Sequence, residues 1–164
     1  MGLGSLKDLY FDELGTLYDA AIQMLRALPR LSEAASAPEL RETLASHCRE
    51  SRLHLERLEL IFTHWGERRP LRSSAGLAGL VQEADERLNQ ETTPDARDVA
   101  IIGAAQRIEH YEIAGYESAR RCALRLNRRD DARLLQATLD EVERADDRLV
   151  AIGRSPFAES TWTI

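Results

Sequence analysis

Apolar residues recur along this chain at alternating steps of three and four, the spacing that puts side chains on one face of an α-helix. Four long stretches carry such a seam. The first runs from about Ser5 to Ala34, with Leu6, Tyr10, Leu14, Leu17, Ala21, Met24, Leu28 and Leu31 on one line. Pro29 is expected to bend its last turns, because it lacks an N–H and crowds the preceding turn. The second runs from about Pro38 to Trp65, with Leu40, Leu44, His47, Ser51, His54, Leu58, Ile61 and Trp65 in line. Pro38 suits a first helical turn, and Gly66 ends the stretch. The third runs from about Asp95 to Leu126 and the fourth from about Asp130 to Ile152. Gly153 and Pro156 are expected to stop the last one. No β pattern and no solenoid repeat is visible.

The connections predict an architecture. Ala35–Ala37 and Asn127–Arg129 are turns short enough to make two antiparallel hairpins. Between the hairpins lies a long crossing, Gly66–Pro94. Its second half reads as a short amphipathic helix through Leu77, Leu80, Val81, Ala84 and Leu88. Two hairpins and one long crossover predict an all-α, ferritin-like four-helix bundle. The bundle is expected to span residues 1–153, and residues 154–164 to form a non-helical tail whose Phe157 and Trp162 pack on the bundle or on a partner subunit.

The third seam contains an anomaly. Ile102, Ala105, Glu109, Glu112, Tyr116, Ala119, Ala123 and Leu126 share one face, and two of them are carboxylates. A buried carboxylate is costly unless paired, protonated or bound to a metal. Glutamates at i and i+3 on an inward face are also what helical bundles use to hold two iron ions. Helix midpoints share one height in antiparallel packing. His47, Glu50 and His54 from the second stretch and Asp146 from the fourth therefore join Glu109 and Glu112 in one polar layer. Such a donor set suits iron, manganese or zinc. The recipe is incomplete, however. Ala21 and Val142 occupy the inward positions on the first and fourth stretches, and Glu13 lies about two turns, roughly 12 Å, from Ala21. Glu141 and Glu143 are rotated off the seam. The competing structural reading pairs Glu109 and Glu112 with Arg52, Arg57 or Arg107, and treats His47 and His54 as satisfied core histidines. His110 is expected outside the layer, and Tyr111 and Tyr116 are packing residues whose hydroxyls can reach it.

Composition narrows the class. The chain has 164 residues and a formal net charge of −6, which disfavours nucleic acid and anionic membrane as partners. No apolar run is long enough for a membrane helix. Two cysteines, Cys48 and Cys122, form no disulfide framework. The N-terminal MGLGSLKD lacks the apolar core of a signal peptide, so a cytoplasmic location is expected.

The stretches LKDLYFDELGTLYDAAIQMLRALPRLSEAA, DVAIIGAAQRIEHYEIAGYESA and LLQATLDEVERADDRL resemble the bacterial YciE/YciF family of ferritin-like, stress-associated proteins of unassigned activity. The likeness covers about Leu6 to Ile152, and AAQRIEHYEIAGY is its most specific part. It implies a helical bundle, a rubrerythrin-like two-metal arrangement and a homodimer. Glu50, Glu109, Glu112 and Asp146 are the retained members of the family's inward polar set. Where the family usually reads Tyr-x-Ala-Glu, this chain has Tyr18, Asp19, Ala20 and Ala21. Where it usually reads a Glu-Glu-Glu-Lys-like run, this chain has Glu141, Val142 and Glu143. The expectation is a degenerate metal site with a binding or structural role, taking no metal or a single Fe, Mn or Zn ion. Enzyme activity is doubtful because of Ala21 and Val142. The alternative is a metalloprotein that holds one or two ions at Glu50, Glu109, Glu112 and Asp146, with His54, and performs peroxide or oxygen chemistry. A third reading makes the Trp162 tail a scaffold for subunits. No particular protein partner follows from the sequence.

Overall fold

The computed structural model describes residues 4–154. It is all-helical, with five α-helices and no strand among the described residues: α1 (Leu6–Ala34), α2 (Pro38–Trp65), α3 (Ala75–Leu88), α4 (Pro94–Arg125) and α5 (Arg129–Arg154). The four long helices form a closed ring of neighbours, with α1 packed on α2 and α4, and α5 packed on α2 and α4. The short helix α3 lies on α4 and α1. Among the described residues, no helix is long and apolar enough to cross a membrane.

The helix ends follow local chemistry. Ser5 caps α1 by accepting the Asp8 amide at 3.1 Å, and Thr93 caps α4 by accepting the Ala96 amide at 3.3 Å. The α2 N-cap, Ala37, has no side-chain acceptor. Asp98 of α4 supplies one from across the fold, accepting the Ser36 and Ala37 amides at 2.7 and 2.8 Å. That explains how Asp98 can be only 2% exposed: two backbone donors compensate its desolvation. Gly66 ends α2 with φ of 62°, the left-handed conformation for which glycine has no Cβ penalty.

The α1 helix runs through Pro29 to Ala34, the end that its seam predicts, and one expectation about a helix end changes. The α5 helix does not stop before Gly153 but runs through it to Arg154, because a single glycine lowers helix propensity without breaking the hydrogen-bond ladder. Arg154, assigned in advance to a non-helical tail, is therefore helical. The rest of that tail, with Phe157 and Trp162, lies outside the described residues.

The core is divided. One apolar cluster contains Met24, Leu28, Leu31, Leu40, Leu44, Ile101, Ile108, Leu149 and Ile152. A second contains Tyr10, Leu14, Leu17, Leu58, Ile61, Tyr116, Leu135, Leu139 and Val142. Their order along every long helix places them at opposite ends of the ring. Between them on α2 and α4 fall His47, Ser51, His54, Glu109 and Glu112, all buried. The crossing to α4 is tied down as well. Asp19 accepts the buried Ser74 amide at 2.7 Å, and Ser74 shares a 2.9 Å hydrogen bond with the Tyr111 hydroxyl.

The second cluster is anchored by Asp131 in the first turn of α5, which is 1% exposed. Its carboxylate accepts from Trp65 Nε1 at 2.7 Å, Tyr10 at 3.3 Å and Arg128 at 3.3 Å, and lies 3.2 Å from His64 Nδ1. A negative charge at a helix N-terminus is also favoured by the peptide dipoles. This one carboxylate joins α1, α2 and α5 at their shared end.

Candidate metal centre

Glu109 and Glu112 are each 1% exposed, so the helical seam does place both carboxylates inside the protein. The residue that meets them is His47, also 1% exposed. Its Nδ1 forms a close ion pair with Glu109 Oε1, and its Nε2 lies 3.5 Å from Glu112 Oε2. Each of the three residues offers one ligand atom, and these atoms lie within 4.8 Å of one another. Ligand atoms around a tetrahedral ion with bonds of about 2.1 Å lie roughly 3.4 Å apart, so the three side chains would draw together on an ion, with one His47 nitrogen binding it.

The three side chains have almost no other partners. His47 Nε2, both Glu109 oxygens and Glu112 Oε2 have no hydrogen bond of good geometry. The arginines considered as partners go elsewhere. Arg57 binds Glu141 at 2.6 and 2.8 Å, and Arg107 donates to the Gly103 carbonyl at 3.0 Å. Among the described residues, His47 is the only ion-pair partner of either glutamate. Buried polar atoms in folded proteins are nearly always satisfied, so this group is a candidate holder of a solvent molecule or an ion.

The electrostatics agree. Burial disfavours a charged His47, but Glu109 and Glu112 outweigh it and push its pKa up to about 10. Burial moves the Glu109 carboxyl in the same direction, up to about 7, although His47 opposes the shift. Without a metal, then, the triad retains protons that a divalent ion would displace.

The other predicted members of the polar layer diverge. Glu50 is directed to α5, where Arg148 donates to both its oxygens at 3.3 and 3.4 Å. Asp146 sits at the edge of α5, accepting from Gln106 at 3.2 Å, with the exposed His110 3.7 Å away. His54 is fully buried, and its Nε2 lies 3.0 Å from Glu141. Burial lowers the His54 pKa despite the carboxylates around it. Thus Glu109 and Glu112 are brought together, His54 lies beside them with its ring centroid 6.3 Å from that of His47, and Glu50 and Asp146 are held in separate pairs. Glu13 is occupied as well, accepting from Ser118 at 3.0 Å.

Two functional features were not assigned from the sequence. His47 stood in the predicted layer but outside the predicted ligand set, although its seam position facing two glutamates was the available signal. Glu141 was set aside as rotated off the seam. Its partners, Arg57 and His54, both lie across from it on α2, which no single-helix pattern reveals.

Comparison with known proteins follows the same lines. Residues 5–160 match the family described as a domain of unknown function, DUF892. The chain belongs to this family. Protein YciF of Escherichia coli K12 is 32% identical to it over 150 residues, covering 91% of this chain and 90% of YciF. The crystal structure of the E. coli stress protein YciF superposes with a TM-score of 0.89 at 30% identity, covering 92% and 95% of the two chains. A Rhodopseudomonas palustris protein called YcfI, described as a candidate structural protein, superposes with a TM-score of 0.88 at 32% identity, covering 90% and 94%.

Within the DUF892 fold of this chain, the donor set fits one ion and does not fit two. A neutral imidazole and two carboxylates carry two negative charges, which neutralise one divalent ion. A two-metal centre of the bundle type draws carboxylates from all four helices. Here the inward α1 and α5 positions are Ala21 and Val142, both 0% exposed and without a donor atom. Glu50 and Glu141 are neutralised by arginine.

Proposed function

We propose that this DUF892 protein is a ferritin-like four-helix bundle whose two-metal centre has been reduced to a pocket for a single divalent ion, with a binding or structural role rather than oxygen turnover. The observation that carries this reading is the triad of His47, Glu109 and Glu112, buried, mutually close and lacking other partners. The closed ring of four long helices and the YciF likeness support the bundle. The E. coli relative is called a stress protein, which supports a stress-associated role, and the description of the R. palustris relative supports a structural one.

An ion bound by the triad would link α2 to α4 through the middle of the core, where two apolar clusters meet without an apolar bridge. It would supply Lewis acidity and, as iron or manganese, access to redox change. The protein's own contribution is to fix the donors on rigid helices and keep bulk water away from them. Redox turnover of peroxide or oxygen by paired ions would need the carboxylates that Ala21 and Val142 do not provide.

The test is metal analysis of protein purified without chelator and after loading with Fe(II), Mn(II) or Zn(II). One ion per chain, lost in His47→Ala and Glu112→Gln, supports the reading. Two tightly bound ions with peroxide turnover would establish the alternative enzyme.

A further inference from the structure

Three buried atoms near the triad lack a hydrogen-bond partner: His54 Nδ1, Glu112 Oε2 and the Tyr116 hydroxyl. None of the three residues is more than 1% exposed. Glu112 and Tyr116 lie four residues apart on the buried face of α4. The His54 and Tyr116 rings meet edge to face with centroids 6.1 Å apart.

The hydrogen-bond roles are fixed by the surroundings. Glu141 accepts two hydrogen bonds from Arg57, so it is ionised and can only accept. His54 Nε2, 3.0 Å from Glu141, therefore carries the hydrogen and donates it. In a neutral ring this leaves a lone pair on Nδ1. This is the pattern in which a carboxylate orients a histidine whose other nitrogen serves a metal site.

His54 Nδ1 thus needs a donor, Glu112 Oε2 needs a donor, and the Tyr116 hydroxyl needs an acceptor. One water molecule meets all three needs. It accepts from Tyr116, donates to His54 and Glu112, and keeps one lone pair free. The His54 ring centroid lies 6.3 Å from that of His47, and Glu141 holds its Nε2, so Nδ1 is the nitrogen left to the site.

We propose that His54 and Tyr116 hold a solvent molecule against Glu112, with its free lone pair placed to become a further ligand of an ion at His47, Glu109 and Glu112. The ligand role rests on the one-ion reading above, whereas the solvent site does not. The position suits a small molecule that both donates and accepts hydrogen bonds, such as water or a hydroperoxide. A small anion without hydrogen would leave the His54 lone pair unsatisfied.

The experiment uses Tyr116→Phe in the full chain, first without metal. If solvent bridges the hydroxyl, losing it lowers the melting temperature by about 2–4 °C. If the hydroxyl is dry and unpaired, its removal raises the melting temperature, and that result overturns the solvent site. The second arm loads wild type and Tyr116→Phe with Co(II). Affinities within about threefold together with shifted visible bands support the ligand role, and identical bands overturn it. If neither protein binds Co(II), the ion reading and the ligand role fall together, while the melting comparison still decides the solvent site.

Discussion

His47 on α2 and Glu109 on α4 meet as an ion pair in the middle of the protein, with side chains 2% and 1% exposed. A pair so deeply buried contributes little net stability, because desolvation offsets most of the attraction. With a second carboxylate, Glu112, beside it, the pair is the core of the proposed ion site.

The pair predicts a pH dependence for the metal-free protein. Glu109 and Glu112 raise the His47 pKa from 6.5 to about 10 against the opposing effect of burial. A raised histidine contributes stability that is complete below its unfolded pKa and lost as pH rises through the folded value. Stability should therefore fall between about pH 7 and pH 10, with a slope approaching one proton. Urea unfolding across that range checks this. His47→Gln should flatten the slope, and an unchanged slope would show that His47 does not carry the proton.

The Glu141 pair predicts the opposite sign. Its hydrogen bonds to Arg57 hold the Glu141 pKa below the usual 4.5, and burial opposes this. The resulting stability is present above about pH 4.5 and is lost as pH falls through the depressed value. Both partners are about a fifth exposed, so the loss in Glu141→Ala is discounted to about 1–2 kcal/mol at pH 7. Chemical denaturation measures that loss, which should shrink in Glu141→Ala relative to wild type as the pH is lowered toward 3.

At the far end of the core, Asp131 should matter more. Asp131→Ala leaves the Tyr10 hydroxyl and Trp65 indole unpaired inside the protein and removes the partner of Arg128. The expected loss is about 2–4 kcal/mol, from the neutral donors left unpaired, since Arg128 is a third exposed. The measurements are unfolding free energy and Trp65 fluorescence, which should change as its 2.7 Å hydrogen bond is lost.

These contacts show what the pattern of residues discloses. The helices were legible because Leu14, Leu17, Met24, Leu28 and their counterparts repeat without interruption. The Glu109–Glu112 face was legible because polar residues interrupt an otherwise apolar seam. Glu50 and Asp146 were misplaced for a geometric reason. On α5 the buried line runs Thr138, Val142, Ala145, Leu149, so Ala145 rather than Asp146 faces inward. A small, unremarkable alanine concealed that shift of about 100°. On α2 the line His47, Ser51, His54, Leu58 leaves Glu50 at the flank beside Arg148. Charge partners across helices decide such flanking positions, and a single strand of sequence does not show them.

Restoring acid should restore capacity. The double variant Ala21→Glu, Val142→Glu places carboxylates at two fully buried positions. Without metal it should be less stable, because two more buried carboxyls lack partners. With Fe(II) or Mn(II) it should bind about one more ion per chain than wild type, as counted by elemental analysis. No gain in stoichiometry in a folded variant would mean that these two positions do not face the site.

The most direct test is the number of metal ions held by the wild-type chain, measured by calorimetric titration in buffers of different ionisation enthalpy. One tight divalent ion per chain is expected, bound with release of protons from His47 and Glu109, and no ion in His47→Ala. Two tight ions per wild-type chain, or one that survives His47→Ala, would contradict it.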